Sequence, residues 1–329
     1  MLAGLLAVVI ASKVGAVQTT DLSRPNPDGQ PTRVEVGLYL SNLYEVSAAD
    51  ETFVADVLLR ADWLDPRLAR PSEATHEVAL DQVWNPRFQC VNQRTVTTLL
   101  PQRVEVDASG HVTYRQRWFG RFAARLDLRG FPRDRQRLLV QFVAFGYARD
   151  EVDLVVPEKF ALLKHPEELS ITDWDVEPTV VNVADYQSAP GFPDLPGIQL
   201  VWEARRFVEY YLVQVILPLI FIVLMGWIAV WIDPSLVASR VSVAMTTMLT
   251  LIAYRFSLGK AVPALTYLTR FDYFMLWSTI LIFLMLGCVT VGAHFVQTGR
   301  TISVRHIDRW ARIVYPAAFA AVCVLAWWG

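Results

Sequence analysis

Three cysteines in 329 residues, Cys90, Cys288 and Cys323, are too few and too far apart to read as a disulfide framework or a thiolate metal site. The five histidines are scattered, with no pair at ligand spacing. Glycine-rich phosphate loops and a Gly-x-Ser-x-Gly elbow are absent. The adjacent carboxylates Asp50/Glu51 and Glu167/Glu168 read as solvated loop charges rather than an acid–base pair. No enzyme is expected on these grounds, and no cofactor, metal or nucleic acid enters the expectation. Binding is the default.

Charge is scarce as well, but unevenly. Residues 1–205 carry 21 basic and 28 acidic side chains, leaving −7, whereas residues 206–329 carry nine and four, leaving +5. A water-facing segment followed by a bilayer-facing one fits that contrast, and neither a single soluble globule nor a disordered chain does. Residues 2–11 form an apolar run too short to span a bilayer. With the small residues Val14, Gly15 and Ala16 after it, the run reads as a signal peptide over 1–16. No basic residue precedes the run and Lys13 follows it, so an ordinary N-terminal helix or a misplaced start also fits.

Four weakly charged stretches, 208–232, 236–258, 272–296 and 307–328, are each long enough to cross a membrane as a helix. The connection 297–306 carries Arg300 and Arg305, with Arg309 and Arg312 just beyond, which places it on the cytoplasmic side. Residues 17–205 and the C-terminus then lie outside, in a multi-pass protein of the cell (inner) membrane. The outer segment reads as short strands: Val34, Val36, Leu38 and Leu40 alternate with polar or small neighbours, and 138–145, 153–156 and 198–202 are further β-rich runs. An antiparallel β-sandwich is expected.

The second stretch is the most polar. Steps of three or four residues connect Ser242, Thr246, Leu249, Ala253, Phe256 or Ser257, and Lys260 into one helical stripe. Hydroxyls at bilayer depth need either water or helix partners. In a ring of identical subunits the stripe becomes a pore wall, with Ser242 and Thr246 hydrating ions and Leu249, Ala253 and Phe256 forming an apolar gate. In a compact bundle the same hydroxyls bond backbone carbonyls.

Several motifs coincide in order from residue 34 onward. They are Trp63-Leu64-Asp65-Pro66-Arg67-Leu68; Trp84-Asn85-Pro86 with Asn92; the run from Leu126 through Phe131-Pro132-Arg133-Asp134-Arg135-Gln136; Arg205-Arg206 before Tyr210-Tyr211 and Pro218; and Val262-Pro263. Together they resemble the pentameric ligand-gated ion channels, the Cys-loop receptor superfamily. Ala124 and Leu138 stand where animal members carry the loop cysteines, so the resemblance is to the prokaryotic branch.

The resemblance implies an extracellular β-sandwich of about ten strands (17–205) on an all-α four-helix transmembrane bundle (206–329), assembled as a homopentameric ring in contact with membrane lipid and permeant inorganic ions. It implies a small-molecule agonist between subunits. One face would offer Phe145, Tyr147, Tyr186 and Phe192, aromatic rings that either hold a cation or pack the sandwich. The other would offer Arg60, Arg115 and Arg117, which suit a carboxylate, with a simple amine or protons as rivals to an amino acid. Coupling is assigned to Asp134, Arg206, Pro132 and Pro263, with the hairpin near 44–50 and the link 260–263. Arg240 and the lack of an acid just before the second helix favour anions, although Arg240 facing away from the axis, with Asp233 reaching the vestibule, would favour cations. A membrane-anchored sensor that does not conduct is the alternative from another class.

Overall fold

The computed structural model describes residues 21–26, 29–71, 74–161, 166, 168–258 and 266–328, so the expected signal peptide, Lys260 and Pro263 lie outside the described residues. Twelve strands are present among them: β1 (Thr32–Ser47), β2 (Thr52–Leu64), β3 (His76–Ala79), β4 (Phe88–Cys90), β5 (Gln93–Thr98), β6 (Arg103–Val106), β7 (His111–Ala123), β8 (Arg135–Ala144), β9 (Val152–Val155), β10 (Trp174–Val176), β11 (Val180–Val183) and β12 (Gly197–Arg206). One sheet has the order β3-β6-β7-β2-β1-β9, with β5 on β7; the other has β10-β12-β8-β4, with β11 on β12. All pairings are antiparallel except β1 with β9.

Period-two alternation fixes which side chains fill the space between the sheets. Val34, Val36, Leu38 and Leu40 of β1 are buried, as are Leu138, Val140 and Phe142 of β8 and Ile198, Leu200 and Trp202 of β12. Phe53 of β2 joins the layers, stacking on Phe122 of β7 and meeting Trp202 of β12 edge-on, both at 5.4 Å between ring centroids. Each such ring contributes about 1.5–3 kcal/mol by leaving water.

Cys90 sits in this core, where burial pushes its thiol up to about 12. At pH 8 its thiolate fraction is about one in ten thousand, and the thiolate is the reactive form. Iodoacetamide at pH 8 is therefore expected to leave Cys90 unmodified in the folded protein and to label it in denaturant, as read by peptide mass mapping. Equal labelling in both states would contradict its placement.

Among the described residues four helices are long and apolar enough to cross a membrane: α1 (Glu209–Ile228), α2 (Val237–Leu258), α3 (Arg270–Gln297) and α4 (Thr301–Trp328). α1 widens into a π-turn over Leu212–Ile216, with Leu217 N–H donating to the Leu212 carbonyl. Pro218 explains it: its ring crowds the carbonyl four residues back and it has no N–H to donate. α3 begins with a capping box, in which Asp272 N–H donates to Thr269 Oγ1 at 3.2 Å and Thr269 N–H donates to Asp272 Oδ2 at 2.8 Å.

The expected ten-residue connection between the third and fourth spans is only 298–300. Gly299, at φ 78°, supplies the left-handed turn, and α4 starts six residues earlier than expected. Arg305, Arg309 and Arg312 thus ride on the helix, because arginine is a good helix former even where it ends an apolar run.

Candidate functional site

The expected aromatic residues border one end of the β8/β12 sheet. Ala144 N–H donates to the Pro196 carbonyl at 2.9 Å, and Tyr186 pairs with Leu195 in an antiparallel bridge, so Phe145, Leu195 and Tyr186 follow in one lateral row. Phe145 and Phe192 are exposed, the latter on the loop that leads back to Leu195. Tyr186 is half-buried. Tyr147 packs against the sandwich core, edge-on to Trp84 at 5.8 Å, and the Arg87 guanidinium lies 5.9 Å from its ring centroid. Sequence reasoning missed Arg87; its only signal is its place directly after Trp84-Asn85-Pro86.

The three expected ligand arginines lie together on the outward face of the other sheet. Arg60 stands directly across from Arg115, and Arg117 across from Leu58. Like charges in register repel, yet each guanidinium has a carboxylate of its own. Arg60 forks onto Asp62 through Nε at 2.8 Å and Nη2 at 3.1 Å, and Asp62 also accepts from Thr113 Oγ1 at 2.6 Å. Arg115 pairs with Glu105. Arg117 forks onto Asp56, its Nε donating at 2.8 and 2.9 Å, and this hydrogen bond and charge raise the pKa of the guanidinium. Asp56 and Asp62 were not foreseen. Their signal was the outward register of β2, in which Asp56, Leu58, Arg60 and Asp62 share one face.

At the foot of the sandwich, the alternation of β12 carries from Trp202 through Ala204 to Arg206, and that of β8 runs back through Gln136 to Asp134. The β8/β12 register sets Arg205 opposite Arg135, and Arg206 N–H donates to the Asp134 carbonyl at 3.3 Å. The two charges therefore meet: Arg206 Nε lies 2.9 Å from Asp134 Oδ1 and Nη2 lies 3.4 Å from Oδ2. Trp174, at 4.2 Å, and Phe131, at 5.4 Å, cover the guanidinium, and its Nη1 donates to Tyr211 Oη on α1 at 3.2 Å.

The loop that holds Asp134 rests on the helices. Leu128 N–H donates to Tyr267 Oη at 3.0 Å, Arg270 N–H donates to the Arg129 carbonyl at 3.0 Å, and Phe131 packs edge-on to Tyr211 and Phe271. Pro132 lines a small apolar pocket there with Phe131, Ile216, Phe271 and Phe274.

On α2, Ser242, Thr246, Leu249, Ala253 and Phe256 all point away from the other helices, Leu249 at 68% and Phe256 at 81% exposure. The buried stripe is Ala244, Thr247, Leu251 and Leu258. Thr247 and Thr250 bond the carbonyls four residues back, at 2.8 Å each.

Arg240 is the correction. It was expected on the pore-lining stripe, but it belongs to the buried one, four residues before Ala244, and is only 4% exposed. Its Nη2 pairs with Asp308 of α4 and its Nε donates to the Ala229 carbonyl at 3.1 Å. One turn along α4, Arg312 caps the Val230 carbonyl with Nε at 3.2 Å and Nη2 at 3.0 Å and stacks 4.5 Å from the Trp231 ring. Asp308 was missed, although an acid in an apolar stretch is itself a signal of a buried partner.

Residues 19–188 match the neurotransmitter-gated ion-channel ligand binding domain. Over 304 residues the chain is 25% identical to the human gamma-aminobutyric acid receptor subunit rho-3, a match covering 87% of this chain and 65% of that protein. It is 26% identical to the rat gamma-aminobutyric acid receptor subunit rho-2 over 79% of this chain and 58% of the relative, and 26% identical to the rat glycine receptor subunit beta over 77% and 53%. The chain thus spans less than two thirds of the length of these curated relatives.

Proposed function

The chain belongs to the neurotransmitter-gated ion-channel family, and from that premise we propose that it is one subunit of a homopentameric ligand-gated ion channel rather than an enzyme. The observation that carries this reading is the outward stripe of α2. It is hydroxylated at one end and apolar at the other, and it lies opposite the buried stripe of Ala244, Thr247 and Leu251 that packs on the neighbouring helices. A side chain such as Thr246 gains nothing from lipid, whereas a ring of five copies gives it water. Leu249, Ala253 and Phe256 then form the constriction that excludes water in the closed channel. The relatives are named as gamma-aminobutyric acid and glycine receptor subunits, which supports a small-molecule agonist between the aromatic end of one sandwich and the arginine face of the next.

The sandwich lies outside the membrane in this reading, and α2 begins at the inner face. Anion selectivity now rests on the inner end of the exposed stripe, where Ala238, Ser239 and Ser242 present no carboxylate. The nearest acid, Asp233, is held on the preceding loop: its Oδ1 accepts from both Ser235 N at 2.8 Å and Ser235 Oγ at 2.6 Å, which keeps its pKa below the usual carboxylate value. Arg240 does not contribute a ring of charge.

Purified protein in planar bilayers is expected to pass agonist-evoked current whose reversal potential follows chloride in a dilution series. A shift toward the sodium potential would contradict the anion assignment and keep the channel. A monomer in solution would remove the pore.

A further inference from the structure

We propose that the agonist of this chain is an organic cation without a carboxylate group, and that Asp56, Asp62 and Glu105 set this specificity by holding Arg117, Arg60 and Arg115 in pairs of their own. The inference rests on the reading that ligand binds between the aromatic end of one subunit and the arginine face of the next.

A ligand carboxylate is recognised by a guanidinium fork that can turn to it. Here the forks are engaged. Arg60 gives Nε and Nη2 to the two oxygens of Asp62, and Arg117 gives Nε and Nη2 to Asp56. Opening either pair strands a carboxylate that is almost wholly buried, and an unpaired buried charge costs more than a ligand's hydrogen bonds return.

The surroundings reinforce the exclusion. A cleft of about 390 Å³ beside Arg60 is lined by Glu35, Asp62, Glu105 and Asp107 against the cations Arg60 and Lys159, a net charge of −2. A walled cleft of that sign concentrates cations and repels anions. The opposing wall is aromatic, with Phe145 and Phe192 exposed, and ring faces attract cations. The Arg87 guanidinium lies 5.9 Å from the Tyr147 ring centroid, so the ring faces left for a ligand cation are those of Phe145 and Phe192. The arginine face thus favours an ammonium over an acid, its forks being engaged and its cleft net negative, and the exposed rings opposite accept the same charge.

The test uses the full chain purified in detergent and amine–amino acid pairs that differ by the carboxylate alone: phenethylamine with phenylalanine, and propylamine with 4-aminobutyrate. Calorimetry is expected to show each amine binding at least about tenfold tighter than its amino acid, the effect of one charge-assisted interaction. Glu105→Gln, at a half-buried position, frees Arg115 and is expected to shift the amine-to-amino-acid affinity ratio about tenfold toward the acid; Asp62→Asn does the same for Arg60. A purely structural role for these carboxylates would change both ligands together.

Amino acids binding as tightly as their amines, neither class binding, or an unchanged ratio in both variants would overturn the inference. Currents recorded with the same compounds separate the two readings. Amine binding without current counts against the channel and upholds the cation site, while current evoked by amino acids alone does the reverse.

Discussion

Arg206→Ala is expected to destabilise the protein by about 3–5 kcal/mol, the cost of stranding one member of a buried pair. The expectation follows from burial: the Arg206 side chain is 7% and that of Asp134 1% exposed, so neither finds water when its partner is lost. Gln136 Nε2, which donates to Asp134 Oδ2 at 2.6 Å, would be left as the only side chain among the described residues bonded to that carboxylate. Arg206 also holds the rings of Trp174 and Phe131 and the hydroxyl of Tyr211, so its loss loosens the seam between the sandwich and α1. Asp134→Ala/Arg206→Ala is expected to recover part of the loss, because no charge is left unpaired. Melting curves of the four proteins in a double-mutant cycle check this. Strictly additive losses would show that the two side chains act independently.

Asp308→Ala is expected to cost a comparable amount, about 3–5 kcal/mol, because Arg240 then lies uncompensated inside four packed helices. One carboxylate oxygen, Asp308 Oδ2, already lacks a hydrogen-bond partner among the described residues, so the pair holds its helices together without full satisfaction of its lone pairs. Replacing both partners by apolar residues removes the desolvation cost as well, and Arg240→Leu/Asp308→Leu is expected to melt near or above the parent. Thermal denaturation in detergent reads both variants. An unchanged melting temperature for Asp308→Ala would mean that Arg240 reaches water, as a pore-lining arginine would.

The elements that repeat a period were legible in the sequence. Alternation announced β1, a β-rich run marked part of β12, and apolar length announced the four helices, whereas Asp134 and Arg206 were linked only by the family resemblance and the β8/β12 register that joins them is a property of the fold. What stayed hidden depends on partners distant in sequence. The hydroxyl stripe of α2 was readable as a face, but Ser242 and Arg240 differ by only two positions, and the side that meets α4 is decided by Asp308, 68 residues away. Similarly, Arg60, Arg115 and Arg117 stood out as cations, whereas the carboxylates that neutralise them come from their own strand, from β6 and from across the β2/β7 pair. A charge in a sequence shows what a residue can attract, and only the fold shows what it already holds.

In the proposed channel the exposed stripe of α2 faces a water-filled axis. Cysteines introduced one at a time from Ser242 to Phe256, on a background in which Cys288 and Cys323 are serine, test it through block of agonist-evoked current by a charged methanethiosulfonate. Modification at positions 242, 246, 249, 253 and 256 is expected to block the current, while positions 244, 247 and 251 are expected to be silent. Block at the second set, or silence at the first in a channel that still conducts, would place the pore elsewhere.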